Sequence, residues 1–347
     1  MKIIENLRYG RHLNPLTLSP SKGERSLSYP KGHWILLVLL FCFQFLIPGI
    51  ARAYGRRLVG TSSGKFLQLP VNARAIALGE AYSTLTDGAD SLYWNPAGLG
   101  RIEKQSISLM HAVYLQDVFY DYAAYARKMG KAGTFGVGVQ YLSAGSIEET
   151  NEQETKVGSF TPQDMAISVS WGRKFHGGDL GDLEESEFIF GITGKFIQSK
   201  IIETANSGAI DVGIIWNPIA KHGFSIGAQN MGPALKFGKD STDLPFNIRL
   251  GYANQYFEPL LLALDVNFPQ DNDANVGIGM EYTKRIFSDL YLAGRGGYNS
   301  RVTADIARLS SLSTGVGLGW KTYSLDFAWV PFGQLGHSFR LSLSIKF

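Results

Sequence analysis

From Gln105 to the C-terminal Phe347 the chain repeats one pattern. Short segments place a large apolar residue at every second position and a small or polar residue between. In "TFGVGVQY", Phe135, Val137, Val139 and Tyr141 alternate with Thr134, Gly136, Gly138 and Gln140. In "STGVGLGW", Val316, Leu318 and Trp320 alternate with three glycines. "AISVSW" (Ala166–Trp171) and "SLDFAW" (Ser324–Trp329) do the same. Strand side chains point alternately to two faces, whereas a helix face recurs at a period near ~3.6. The pattern therefore predicts strands, each with one large apolar face and one small or polar face.

Such segments fall at 105–116, 118–129, 132–143, 162–174, 187–199, 207–217, 222–231, 244–255, 260–268, 275–285, 289–299, 311–321, 323–331 and 337–347. An even number of strands near ~10 residues long is the habit of bacterial outer-membrane barrels. The expectation is an all-β fold, a 14-stranded antiparallel transmembrane β-barrel over residues 105–347.

Charge decides which face is inside. Lys195, Arg249, Arg295 and Arg340, with Asp211, Asp265, Glu281 and Asp326, lie mid-strand on the small or polar face. Arg or Lys turned toward hydrocarbon at the bilayer midplane costs about 2–4 kcal/mol. These residues are therefore expected to face a lumen, where opposite signs pair. A soluble β-sandwich with this face in water is the competing reading. Trp171, Trp216, Trp320 and Trp329 at strand ends favour interfacial girdles instead.

The connections alternate in length. Residues 144–161, 230–243 and 300–310 are long, and most of the others are tight turns. If residues 54–104 begin in the periplasm, the long connections are external, the usual arrangement. Residues 177–187 break the rule as a long periplasmic excursion. The last segment, "HSFRLSLSIKF", alternates to the terminus, with Phe339, Leu341, Leu343, Ile345 and Phe347 on one face. It resembles the signal read by the barrel-assembly machinery.

The first 53 residues read as a leader and signal peptide. Lys31 and His33 precede the apolar run Trp34–Ile47, and "ARA" (Ala51–Ala53) offers a cleavage site after Ala53. That run is short for a spanning helix, which needs about 20 residues. The sole cysteine, Cys42, lies within it, so no disulfide is expected beyond residue 53. Of 33 basic and 30 acidic residues, 7 and 2 belong to this leader, which leaves a formal net charge of −2. Nothing there calls for a nucleic-acid partner.

Residues 54–104 are of another kind and are expected to fill the barrel as a hatch with short helices. Asn72–Leu85 has helical composition, with Asn72 as its cap, and "TDGAD" marks a turn. The stretch "NARAIALGEAYSTLTDGADSLYWNPAGLG" (Asn72–Gly100), with Ala89–Leu99 as its motif, resembles the hatch of the outer-membrane FadL-like superfamily, closest to its PorV/PorQ-type branch. That resemblance implies a fourteen-stranded barrel with an N-terminal hatch. It implies one of two roles: passage of hydrophobic molecules through the wall or past the hatch, or type IX secretion, where the barrel captures cargo or partner proteins. A structural barrel with a permanent plug is the third possibility. Candidate hatch or ligand-path residues are Arg74, Ile76, Leu78, Tyr82, Tyr93, Trp94, Asn95 and Pro96, with Phe66, Leu67 and Leu69 ahead of them. Pro96 ends any helix and re-aims the chain toward the wall.

Other chemistry is poorly supported. "GTSSGKF" (Gly60–Phe66) is one residue short of a phosphate loop and reads as a flexible leader to the hatch. In Asp271–Tyr282, Val276 and Tyr282 stand where a calcium loop needs Gly and Glu, so the stretch reads as a turn. His111, His176, His222 and His337 lack metal-ligand spacing. No catalytic residues, metal or cofactor are expected. The expected partners are outer-membrane lipids, the assembly machinery, and hydrophobic small molecules or secreted proteins. The expected location is the outer membrane of a Gram-negative-type bacterium.

Overall fold

A computed structural model describes residues 60–114, 118–151, 155–176, 186–255, 257–302, 311–331 and 336–347. The leader and the cleavage after Ala53 lie outside the described residues, as do most of 177–187 and of 300–310.

Among the described residues, eighteen strands follow in chain order. The first nine are β1 (Gln105–Val113), β2 (Phe119–Lys128), β3 (Thr134–Ser143), β4 (Ile147–Thr150), β5 (Lys156–Phe160), β6 (Gln163–His176), β7 (Glu187–Lys200), β8 (Thr204–Ile219) and β9 (His222–Met231). The rest are β10 (Leu235–Phe237), β11 (Asp240–Thr242), β12 (Asn247–Asn254), β13 (Leu260–Pro269), β14 (Asn275–Phe287), β15 (Leu290–Asn299), β16 (Leu312–Trp320), β17 (Tyr323–Pro331) and β18 (His337–Lys346). Fourteen of them form one closed antiparallel barrel, each wall strand beside the next in sequence. β1 closes the wall on β18, with register from Ser106↔Lys346 to Val113↔Phe339. Closure leaves no unpaired edge, which a bilayer would penalise. The two remaining pairs, β4–β5 and β10–β11, are small hairpins inside the long connections 144–162 and 232–246. The sequence pattern predicts only long connections there. At three to five residues these strands are too short to show alternation.

The hairpins mark one end of the barrel, the hairpin end. The opposite turn end carries the connections 129–133, 220–221, 288–289 and 321–322, and with them Phe347, whose N–H donates to Gln105. The large apolar residues cover the outer wall, with Val137, Val169, Val316, Phe339 and Leu341 exposed. The eight mid-strand charges named above are all buried inside. Aromatic pairs sit at strand ends: Trp216 stacks on Phe188 and Trp320 on Tyr323, while Trp329 lies 5.4 Å from His337.

Most residues from Phe66 to Ile102 are buried in the lumen. The predicted Asn72–Leu85 helix is much shorter: α1 covers only Ala73–Ala77. Asn72 does cap it, its side chain accepting from the Arg74 N–H at 2.9 Å. The helix ends because Gly79 and Glu80 both take positive φ (63° and 66°) to turn the chain along the wall. A second short helix, α2 (Ser91–Trp94), stops at extended Asn95, and Pro96 opens a 3-10 turn, Pro96–Arg101.

The hatch does not start at the turn end. Ser63 N–H donates to Asp243 O (3.0 Å), and Ser62 and Lys65 both engage Asp271, all at the hairpin end. Gly60–Phe66, read as a flexible leader, is thus tied to the turn after β13. The hatch then runs through the lumen and reaches β1 at the turn end, where Lys128 N–H donates to Lys104 O.

Candidate functional site

The hatch meets the wall in three ways: backbone on glycine, buried charge, and aromatic packing. The glycine contacts come first because they fix its distance from the wall. Gly172, Gly191 and Gly213 pair directly across β6, β7 and β8. This row receives Asn95 and Pro96. A methyl group on Gly191 would overlap the Pro96 carbonyl and the Ala97 nitrogen. A second row, Gly277, Gly279 and Gly297 on β14 and β15, receives Leu78 and Gly79 in the same manner. Lumen-facing glycine therefore gives close backbone approach rather than an empty channel. The sequence signal was the run of glycines on one strand face. It revealed small size but not what lay against it.

Charge locks the hatch in register. Arg74 donates from Nε and Nη2 to the two oxygens of Glu281, both at 2.8 Å. Glu281 also accepts from Arg295 Nε (2.5 Å), and Arg295 Nη1 donates to Asp326 (2.7 Å). Two guanidinium groups and two carboxylates thus alternate from hatch to wall, all buried. The fork-to-carboxylate geometry suits Arg rather than Lys. Asp265 accepts the N–H groups of Tyr82 and Ser83 (3.2 and 2.9 Å). Lys195 and Asp211 pair with each other at 2.7 Å and do not touch the hatch charges. Arg249 donates to Asn267 (2.6 Å) and covers the Trp94 ring at 4.8 Å. Arg340 lies over Tyr114. The expected lumen charges are therefore all inside, in distinct groups.

The aromatics of "DSLYWNPAGLG" are packed. Trp94 meets Tyr82 and Tyr93 edge-on, at 5.8 and 5.0 Å between ring centroids. Its indole N–H donates to Val71 O (2.9 Å), and Gln229 donates to Tyr93 O (2.6 Å). Ile76 and Leu78 belong to the same buried apolar cluster. Phe66 and Leu67 form a separate cluster at the hairpin end, with Ala166, Ile197, Leu235 and Leu244. Leu69 packs against both.

Sequence reasoning missed two acids. Asp87 pairs with Lys346 at 2.7 Å, and Asp90 accepts from Asn72 Nδ2 at 2.5 Å. Burial opposes ionisation of Asp87, but Lys346, then Arg74 and Arg101, hold its carboxyl below the ordinary range. Burial, reinforced by Asp87, pushes Asp90 above it. Neither residue lies in an alternating segment, so nothing in the pattern marked them.

A family model described as "Type IX secretion system protein PorV" matches residues 52–288. The chain belongs to the PorV family. Membership and the closed barrel make it an outer-membrane protein. No curated protein matches the sequence. Among solved structures, the Ralstonia pickettii toluene transporter TbuX is similar with a TM-score of 0.51 at 11% identity, over 80% of this chain and 98% of that one. A Pseudomonas aeruginosa FadL homologue gives 0.47 at 12% identity, over 80% and 99%. The Pseudomonas putida toluene transporter TodX gives 0.48 at 10%, over 77% and 95%. The likeness to TbuX concerns the fold alone. The PorV-family barrel thus shares its fold with TbuX.

Proposed function

We propose that this PorV-family barrel is a non-enzymatic binder of hydrophobic compounds, which enter at the hairpin end and pass inward past the hatch. The apolar cluster of Phe66, Leu67, Ala166, Ile197, Leu235 and Leu244 carries this reading. It brings hatch, wall and the β10–β11 hairpin segment together at one mouth of the barrel. Leu235 is the first residue of that hairpin and Leu244 lies just beyond it, so a small displacement of it opens an apolar surface without disturbing the wall ladder. Passage further inward requires the hatch to shift, because Leu78, Trp94 and Leu99 are packed deeper in the lumen. The fold likeness to TbuX, described as a toluene transporter, agrees with this reading.

A second reading is a type IX secretion accessory that holds cargo or partner proteins. Family membership over residues 52–288 favours it. Native mass spectrometry of the protein extracted in mild detergent separates the two. A stoichiometric apolar molecule, lost in Leu235→Asp, supports binding of hydrophobic compounds. A stoichiometric secreted protein with no bound apolar molecule overturns that and supports the accessory role.

A further inference from the structure

Arg340 differs from the other lumen cations. It lies on β18 opposite Ala112, with its side chain inside the barrel and 3% exposed. Its Nε and Nη1 are buried and make no hydrogen bond. Arg74, Lys195 and Arg295 each have a carboxylate partner, and Arg249, which has none among the described residues, donates from Nε to Asn267. Among the described residues Arg340 has only the Tyr114 ring, 4.8 Å from its guanidinium carbon. The Tyr114 hydroxyl is buried and unpartnered as well. Tyr114 follows the last residue of β1, so both groups sit toward the hairpin end, where Tyr114 packs on the apolar core of the hatch.

The local charge is unbalanced. Among the described residues, Arg340, Glu80 and Arg301 are the charged groups that bear on the Tyr114 hydroxyl. Glu80 and Arg301 satisfy each other at 2.7 Å. Among the described residues, that leaves Arg340 without a carboxylate partner. A buried guanidinium is costly unless an anion and hydrogen bonds offset its lost hydration. Its planar fork fits two oxygens of one anion, and a tyrosine O–H supplies a further donor.

We propose that Arg340 and Tyr114 form an oxyanion-binding site at the hairpin end of the lumen, for a phosphate-type group carried free or as the head of an amphiphile. The site stands apart from the apolar cluster around Phe66 and Leu235, so either can fail without the other. Calorimetric titration of the detergent-solubilised protein with inorganic phosphate and with octyl phosphate tests it. Wild type should bind at least one probe, Arg340→Met should bind about tenfold or more weakly, and Tyr114→Phe should bind less tightly than wild type. Octyl phosphate tighter than inorganic phosphate identifies a head-group site, and equal affinity identifies a free oxyanion. Heat-modifiable gel mobility shows that each variant is folded. If Arg340→Met does not fold, Tyr114→Phe, which removes one hydroxyl, decides alone. No binding of either probe, or unchanged affinity in a folded variant, overturns the site.

Discussion

Replacing Arg74 with Met should release the hatch from the wall measurably. The side chain is buried and bonds Glu281 through two contacts of 2.8 Å. Removing one partner of a buried ion pair costs about 3–5 kcal/mol. Glu281 keeps Arg295 at 2.5 Å, which puts the expected cost at the low end, about 3 kcal/mol. That corresponds to about 100-fold in the equilibrium between docked and released hatch. The sequence has one cysteine, Cys42, so Ser83→Cys in a Cys42→Ser background gives one reporter thiol, buried in the hatch. Maleimide labelling of that thiol in detergent, under conditions where opening is fast, reads the released fraction. Arg74→Met should speed labelling by about 100-fold. Adding Glu281→Gln should recover part of the loss, because it removes the carboxylate left in excess and preserves the Arg295–Asp326 pair. A change of less than about threefold, or a double variant as fast as the single one, would refute the ion-pair lock.

Other outcomes follow from the same contacts. Gly191→Ala should destabilise the packed hatch by about 1–3 kcal/mol through overlap with Pro96, lowering the unfolding midpoint in detergent, whereas Gly194→Ala, with open space around it, should be neutral. Pro96→Ala should raise hatch proteolysis modestly, by about 0.4–1 kcal/mol of lost pre-organisation. Unchanged cleavage within residues 60–104 would contradict that. Asp87 is held below its ordinary value of 3.8, so its contribution is present above that pH and is lost as pH falls through the lowered value. Asp90 is raised above 3.8, so its contribution is present below 3.8 and is lost as pH rises through the raised value. Reporter labelling at pH 7 should therefore be faster in Asp87→Asn and no faster in Asp90→Asn. The reverse order would contradict the assignment.

The wall was legible because alternation is local. Each strand carries its own two faces, and charges such as Arg295 and Asp326 declare which one is inside. The hatch was legible only in part. Asn72 and Pro96 act through their own backbone, so capping and chain reversal could be read. The end of α1 could not, because Gly79 turns against wall glycines on β14 and β15. Arg74 and Glu281 are 207 positions apart, and no spacing rule joins them. The glycine rows are the plainest case. Gly172, Gly191 and Gly213 look like a polar, small-residue lumen until the Asn95–Pro96 backbone is placed against them. The hairpin-end start of the hatch was hidden for a similar reason: Ser62 and Lys65 are anchored by Asp271, in a turn far along the chain.

Ion conductance of the purified wild-type protein in a planar lipid bilayer tests most directly whether the hatch fills the barrel. A lumen packed from Phe66 to Ile102 gives stable insertion with no steady open-pore current, and current appears when Arg74→Met and Gly191→Ala are combined. A steady current through the wild-type protein would contradict a packed hatch.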